Sequence, residues 1–258
     1  MIRLLRPLLN AIQFMTVMPM LGATRLDDDW VLAARKYFPL VGVLIGLVSA
    51  GVLLLASGLW TGAVPATLAI LAGAVVTGAL HEDGVADTAD GLFGGRTREQ
   101  RLSIIKDSRI GSYGAVMLVA SLVLRIVVLA SLPPWLGAAA LIAGHSVGRA
   151  GIVLVMSVLP YAGNPATAKL NYPAEPIGHA DAAAAAAFTA LGMLWLGISA
   201  PTAAGVGLAA AAILALLPAM AARRLLGGYV GDVLGATEQF AEIGMLLGVA
   251  AISGQSQI

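Results

Sequence analysis

Apolar residues run along this chain in blocks too long and too continuous for a soluble fold. Seven stretches, near 38–60, 62–80, 114–132, 135–158, 183–200, 202–222 and 240–253, read as helices that cross a bilayer, because about 20 mostly apolar residues span its hydrocarbon core. The last is the shortest, and a re-entrant course for it would leave six crossings. The pattern predicts an all-α fold, a polytopic transmembrane helical bundle of about seven spans. No segment is polar enough to stand apart, so 1–258 is expected to form a single membrane domain.

Charge follows the same division. The connections at 60–65, 132–135 and 199–202 hold no charged residue, whereas 13 of the 15 Lys and Arg residues fall in 1–37, 81–113, 159–182 and 223–239. Basic residues gather on the cytoplasmic side of membrane proteins, so these four segments are expected on that face, with the N-terminus inside and the C-terminus outside. Arg125 and Arg149 are the exceptions, set within predicted spans. A charge at that depth is costly unless it faces the bundle interior. Arg149 reads equally as the partner of a buried acid and as a clamp on a phosphate; Arg125 reads as structural or snorkelling. The opening MIRLLRPLLNAIQFMTVMPML has the basic start of a signal peptide but no small-x-small cleavage site, and is expected to remain as an interfacial helix. Trp30, Trp60, Trp135 and Trp195 are expected to anchor at the membrane interface.

Composition narrows the function. With 59% hydrophobic and 11% charged residues, against about a quarter charged in soluble domains, the first partner is the lipid bilayer. The lack of cysteine excludes disulfides, thiolate metal sites and cysteine nucleophiles. No basic stretch with interleaved aromatics supports a nucleic-acid partner.

Against this background HEDGVADTADGLFGG, at 81–95, stands out, because it packs Glu82, Asp83, Asp87 and Asp90 into nine residues. On a helix, the i, i+4, i+7 spacing of Asp83, Asp87 and Asp90 puts them within an arc of about 60°, with Glu82 about 100° away. Ionised carboxylates that close repel one another, and a divalent cation is the natural counter-charge. An oxygen-only donor set favours Mg²⁺ or Mn²⁺. A solvated acidic loop capping the second span is the other reading. Gly84, Gly91, Gly94 and Gly95 are poor helix formers and suit the close approach of backbone to a phosphate. Downstream, Arg96, Arg98, Arg101, Lys106 and Arg109 gather on the same face. They suit a polyphosphate or anionic lipid, with Lys106, Asp107 and Arg109 forming the tightest group. Asp232, Glu238 and Glu242 bring acidic residues back to the cytoplasmic face in GGYVGDVLGATEQFAE, where Asp232 is a further candidate ligand or ribose contact.

These segments resemble one family. HEDGVADTADGLFGG, KDSRIGSYG and GGYVGDVLGATEQ are similar to the cobalamin synthase family, as are LNAIQFMTVMP, GHSVGRA and the PYAG loop before Lys169, in the same order along the chain. The resemblance implies a multi-pass enzyme of the bacterial inner membrane with a cytoplasmic active face. It would use Mg²⁺ to join adenosylcobinamide-GDP to α-ribazole or its 5′-phosphate, giving adenosylcobalamin or its phosphate and GMP. On that expectation Glu82, Asp83, Asp87 and Asp90 hold the metal, and Asp90 or His81 accepts the proton. Lys106, Asp107, Arg109, Arg149, Lys169 and Asp232 meet the substrates. A homo-oligomer is left open. DTADG is also similar to the start of the CDP-alcohol phosphotransferase pattern, but the continuation differs, with Gly94 and Gly95 following and Asp83 and Asp87 extending the acidic set. A transporter with charges along its pathway is a third reading, but no repeated half is visible.

Overall fold

The computed structural model describes residues 2–18, 30–164 and 176–255; Lys169 and the DDD run at 27–29 lie outside them. The chain order is α1 (Ile2–Met15), α2 (Trp30–Ala34), a 3₁₀ turn (Arg35–Tyr37), α3 (Phe38–Ser57), α4 (Ala63–Thr77), α5 (Leu80–Gly94), α6 (Arg98–Ile105), α7 (Ser112–Ala130), α8 (Pro134–Val158), α9 (His179–Ser199), α10 (Pro201–Leu226) and α11 (Gly231–Gln255). Among the described residues, six helical stretches are long and apolar enough to cross a membrane, or seven if α4 and α5 count together as one broken span. The protein is therefore a multi-pass helical bundle.

Burial sorts the spans. α8 and α11 are 83% buried along their most apolar windows, whereas α7 and α9 are 22% and 17% buried, so α8 and α11 form the centre and α7 and α9 face outward. Small residues permit that centre. A Cβ on Gly46 would lie 2.6 Å from Ile142 Cα, so α3 and α8 approach backbone to backbone, as helices do where burial from water contributes nothing to their association. The apolar core falls into two clusters, one including Leu53, Leu136, Leu141 and Met245, the other Phe38, Ile152, Met156 and Val233. α8 and α11 each contribute to both, and their charged residues sit at the seam.

Two departures from the sequence reading matter for function. The final span begins at Gly231, ahead of the expected 240, so Glu238 and Glu242 lie buried inside the bundle and not at its surface. In addition, α4 ends at Gly78, and α5 leaves it at 88°. Gly78 and Ala79 both take left-handed backbone, at φ of 63° and 57°. For alanine that conformation costs about 1–2 kcal/mol, and here it is held by the bond from Ala79 N–H to the Ala74 carbonyl at 2.7 Å. Trp60, Trp135 and Trp195 are exposed, but Trp30 is buried edge-on against Phe14, with ring centroids 5.2 Å apart.

Candidate active site

The four carboxylates of α5 go to three different places. The first turn faces the bundle interior. Glu82 Oε1 accepts from Arg125 Nη2 of α7 at 3.1 Å, and Arg125 Nη1 donates to Glu242 Oε2 of α11 at 3.1 Å. Arg125 is buried and does not snorkel. Arg149 of α8 is fully buried; its Nη1 donates to Glu238 Oε1 at 2.6 Å and to the His145 carbonyl at 3.0 Å. His145 Nδ1 lies against Glu242 Oε1, and its Nε2 is 3.4 Å from Ser49 Oγ of α3. His81 Nδ1 stands 3.4 Å from Arg149 Nη2 and 3.7 Å from Glu238 Oε2. Three carboxylates thus meet two guanidinium groups and the His145 imidazole across α5, α7, α8 and α11, which is how buried charge is tolerated. The void among them is about 10 Å³, room for about one water molecule and none for a substrate. Among the described residues, His145, Glu238 and Glu242 bring ligand atoms within 4.8 Å of one another, yet two arginines already supply their counter-charge.

Beyond the first turn the helix opens outward. Asp83 is exposed and Asp87 half-buried. His81 and Asp83 line a cavity of about 220 Å³ together with Asp232 from the start of α11. A Cβ on Gly84 would stand 2.7 Å from the Asp232 carbonyl oxygen and 3.1 Å from Gly235 Cα, so α5 and α11 touch through their backbones. Any larger residue would separate them, and with them Asp83 and Asp232. His81 lines both this cavity and the buried void.

Asp90 occupies the third place. Its Oδ2 accepts from the Gly111 N–H at 2.7 Å and its Oδ1 from the Gly114 N–H at 2.9 Å. These are among the N–H groups that the first turn of α7 leaves without intrahelical partners, and a carboxylate also suits the positive end of the helix dipole. A Cβ on either glycine would collide with the Asp90 carboxyl group. The glycines of KDSRIGSYG therefore make room for a side chain of α5, a role the sequence reading did not assign. The glycines of α5 itself were expected to face a phosphate. Instead Gly84 meets α11, and Gly91 and Gly95 meet Ile105 and Arg101 of α6.

The basic residues divide similarly. Arg98 donates to the carbonyls of Leu226 and Ala162 at 2.8 and 2.7 Å, and Arg101 to that of Leu92 at 3.3 Å, so these two brace the loops. Lys106 is exposed at the end of α6. Beside it, Arg109 Nη2 donates to Asp107 Oδ2 at 2.6 Å, and those hydrogen bonds hold the Asp107 carboxyl down at about 2. The PYAG loop pairs with the GGY turn through Ala162 N–H to the Tyr229 carbonyl at 2.8 Å, and burial pushes the Tyr229 hydroxyl up to about 12.

With this geometry in place, the chain can be set beside known proteins. Residues 7–250 match the family model described as cobalamin-5-phosphate synthase. The chain belongs to that family. Similar proteins include the adenosylcobinamide-GDP ribazoletransferase of Leptothrix cholodnii, 42% identical over 244 residues and 92% of each chain. The protein of the same name from Bradyrhizobium diazoefficiens is 43% identical over 243 residues, 93% of this chain and 92% of the relative. A third, from Azorhizobium caulinodans, is 44% identical over 220 residues, 82% of this chain and 81% of the relative. No solved structure matches the chain. Family membership sets aside the CDP-alcohol phosphotransferase and transporter readings.

Proposed function

We propose that this chain is an adenosylcobinamide-GDP ribazoletransferase that joins adenosylcobinamide-GDP to α-ribazole or its 5′-phosphate and releases GMP, working at the cytoplasmic face of a bacterial inner membrane. The observation that carries the site is the outward face of α5, where Asp83 opens onto a cavity shared with Asp232 and His81. In this reaction a ribose hydroxyl attacks the phosphorus attached to cobinamide and GMP departs. Such a displacement requires neutralised phosphate charge and a nucleophile held in line.

Asp83, Asp87 and Asp232 offer oxygen donors only, the set that Mg²⁺ prefers, and Asp83 and Asp87 are set about 6 Å apart along the helix. Glu82 and Asp90 point elsewhere, Glu82 to Arg125 inside the bundle and Asp90 to the N–H groups of Gly111 and Gly114. When bound, Mg²⁺ supplies charge neutralisation at the pyrophosphate and the leaving GMP. His81 is the proton acceptor in the tautomer that carries its proton on Nδ1, toward Glu238 Oε2 at 3.7 Å; Nε2 then holds the lone pair that takes the hydroxyl proton. Arg149 and Glu238 act through it as positioning residues. Lys106 and Arg109 draw the anionic substrates to this face, and Asp107 fixes the Arg109 side chain.

Purified protein in lipid vesicles, given adenosylcobinamide-GDP, α-ribazole and Mg²⁺, should release GMP. Release should stop with EDTA and return with added Mg²⁺. GMP formation that needs no α-ribazole, or that survives EDTA, would contradict the reading.

A further inference from the structure

The cavity beneath the acidic face divides by element. α5 and the start of α11 supply its polar lining, His81, Asp83 and Asp232, whereas α1, α3 and α8 supply Phe14, Met15, Phe38, Ile152 and Met156. The rings of Phe14 and Phe38 stand 6.1 Å apart at 31° to each other. A flat aromatic guest gains offset or edge contacts from such rings, and methionine sulfur packs well at ring edges.

The reaction brings three flat heterocycles to this face, the adenine and guanine of adenosylcobinamide-GDP and the base of α-ribazole, and the two purines have polar edges where the third does not. Guanine presents several N–H and carbonyl groups, which apolar walls would leave unpaired and desolvated. The dimethylbenzimidazole of α-ribazole presents one free ring nitrogen and two methyl groups, and apolar burial favours the methyls. Size agrees, since about 220 Å³ admits a bicyclic ring but not a corrin macrocycle. From this division we infer that the cavity receives the aromatic base of α-ribazole, with the ribose left at the rim beside Asp83 and Asp232, where its hydroxyl meets His81. The inference rests on the ribazoletransferase reading and adds to it which substrate enters from which side. Ile152 and Met156 then set the size of base accepted.

The variants Ile152→Phe, which fills the cavity, and Met156→Ala, which widens it, test this. Ile152→Phe should raise KM for α-ribazole about tenfold or more, the scale on which a pocket rejects excess apolar volume, while KM for adenosylcobinamide-GDP stays within about twofold. Met156→Ala should relax discrimination against a riboside with a bulkier base, and serves if Ile152→Phe fails to fold. A change in KM for adenosylcobinamide-GDP instead, or unchanged constants in both folded variants, overturns the inference. Equilibrium dialysis of α-ribazole alone separates the two claims. Binding lost in Ile152→Phe supports the pocket even if no preparation turns over, whereas binding equal to wild type overturns it while leaving the transferase reading intact. α-Ribazole binding that ignores both variants but follows the acyl-chain length of the vesicles would identify the occupant as lipid.

Discussion

α5 presents acidic residues on two faces, and the protein uses them in opposite ways. On the inner side Glu82 joins Glu238 and Glu242 against Arg125 and Arg149 around a void of about 10 Å³. On the outer side Asp83 opens with Asp232 onto a cavity of about 220 Å³, with no arginine among the described residues that line it. The same residue types thus serve two ends, and the neighbours decide which. Where guanidinium groups meet the carboxylates the cluster is closed to substrate; where Asp83 faces an open cavity, a metal and an anionic substrate can enter. His81 lies on the boundary and lines both.

Variants should separate the faces. The largest effect is expected from Arg149→Ala, which leaves Glu238 charged and buried and should cost about 3–5 kcal/mol, seen as loss of folded protein in thermal unfolding. Wild-type stability in Arg149→Ala would contradict its role as the counter-charge of buried Glu238, whatever the turnover. Asp87→Asn should do the converse. Its melting temperature should hold or rise, since repulsion along the row is relieved, while turnover falls about 100-fold, the scale of losing one preorganised electrostatic contact. Asp90→Asn lies between, costing about 1 kcal/mol as a helix cap is weakened, with Gly114→Ala destabilising by forcing the same carboxyl away. The smallest effect belongs to Asp107→Asn. Because the Asp107 carboxyl is held down at about 2, its stabilising contribution is present above the ordinary carboxylate range and fades as pH falls through about 2. A small difference in melting temperature from wild type at pH 7 should therefore narrow as pH drops from about 4 toward 2.

Sequence patterning disclosed the spans because apolar runs of bilayer length are seldom anything but membrane helices, and it disclosed the acidic row because Asp83, Asp87 and Asp90 do share a helix. The start of α11 was hidden for a physical reason. Asp232, Glu238 and Glu242 look like the end of a membrane segment, and Glu238 and Glu242 enter the bundle only because α7 and α8 bring Arg125 and Arg149 to meet them. The signal was present in the need of those two arginines for acids, together with the i, i+4 spacing of Glu238 and Glu242. The bend at Ala79 left no comparable trace, since alanine is the best of helix formers and only tertiary context holds it at φ 57°. Nor could Asp90 be told from Asp83 by type, because what separates them is the α7 backbone at Gly111 and Gly114.

Mn²⁺ binding followed by electron paramagnetic resonance tests the division of labour most directly, since the buried trio of His145, Glu238 and Glu242 is the competing place for a metal. With protein in lipid vesicles, Asp87→Asn should weaken Mn²⁺ binding about tenfold or more while Glu242→Gln, wherever it folds, binds as wild type does. Binding lost in Glu242→Gln and kept in Asp87→Asn would put the metal in the buried cluster and contradict the account.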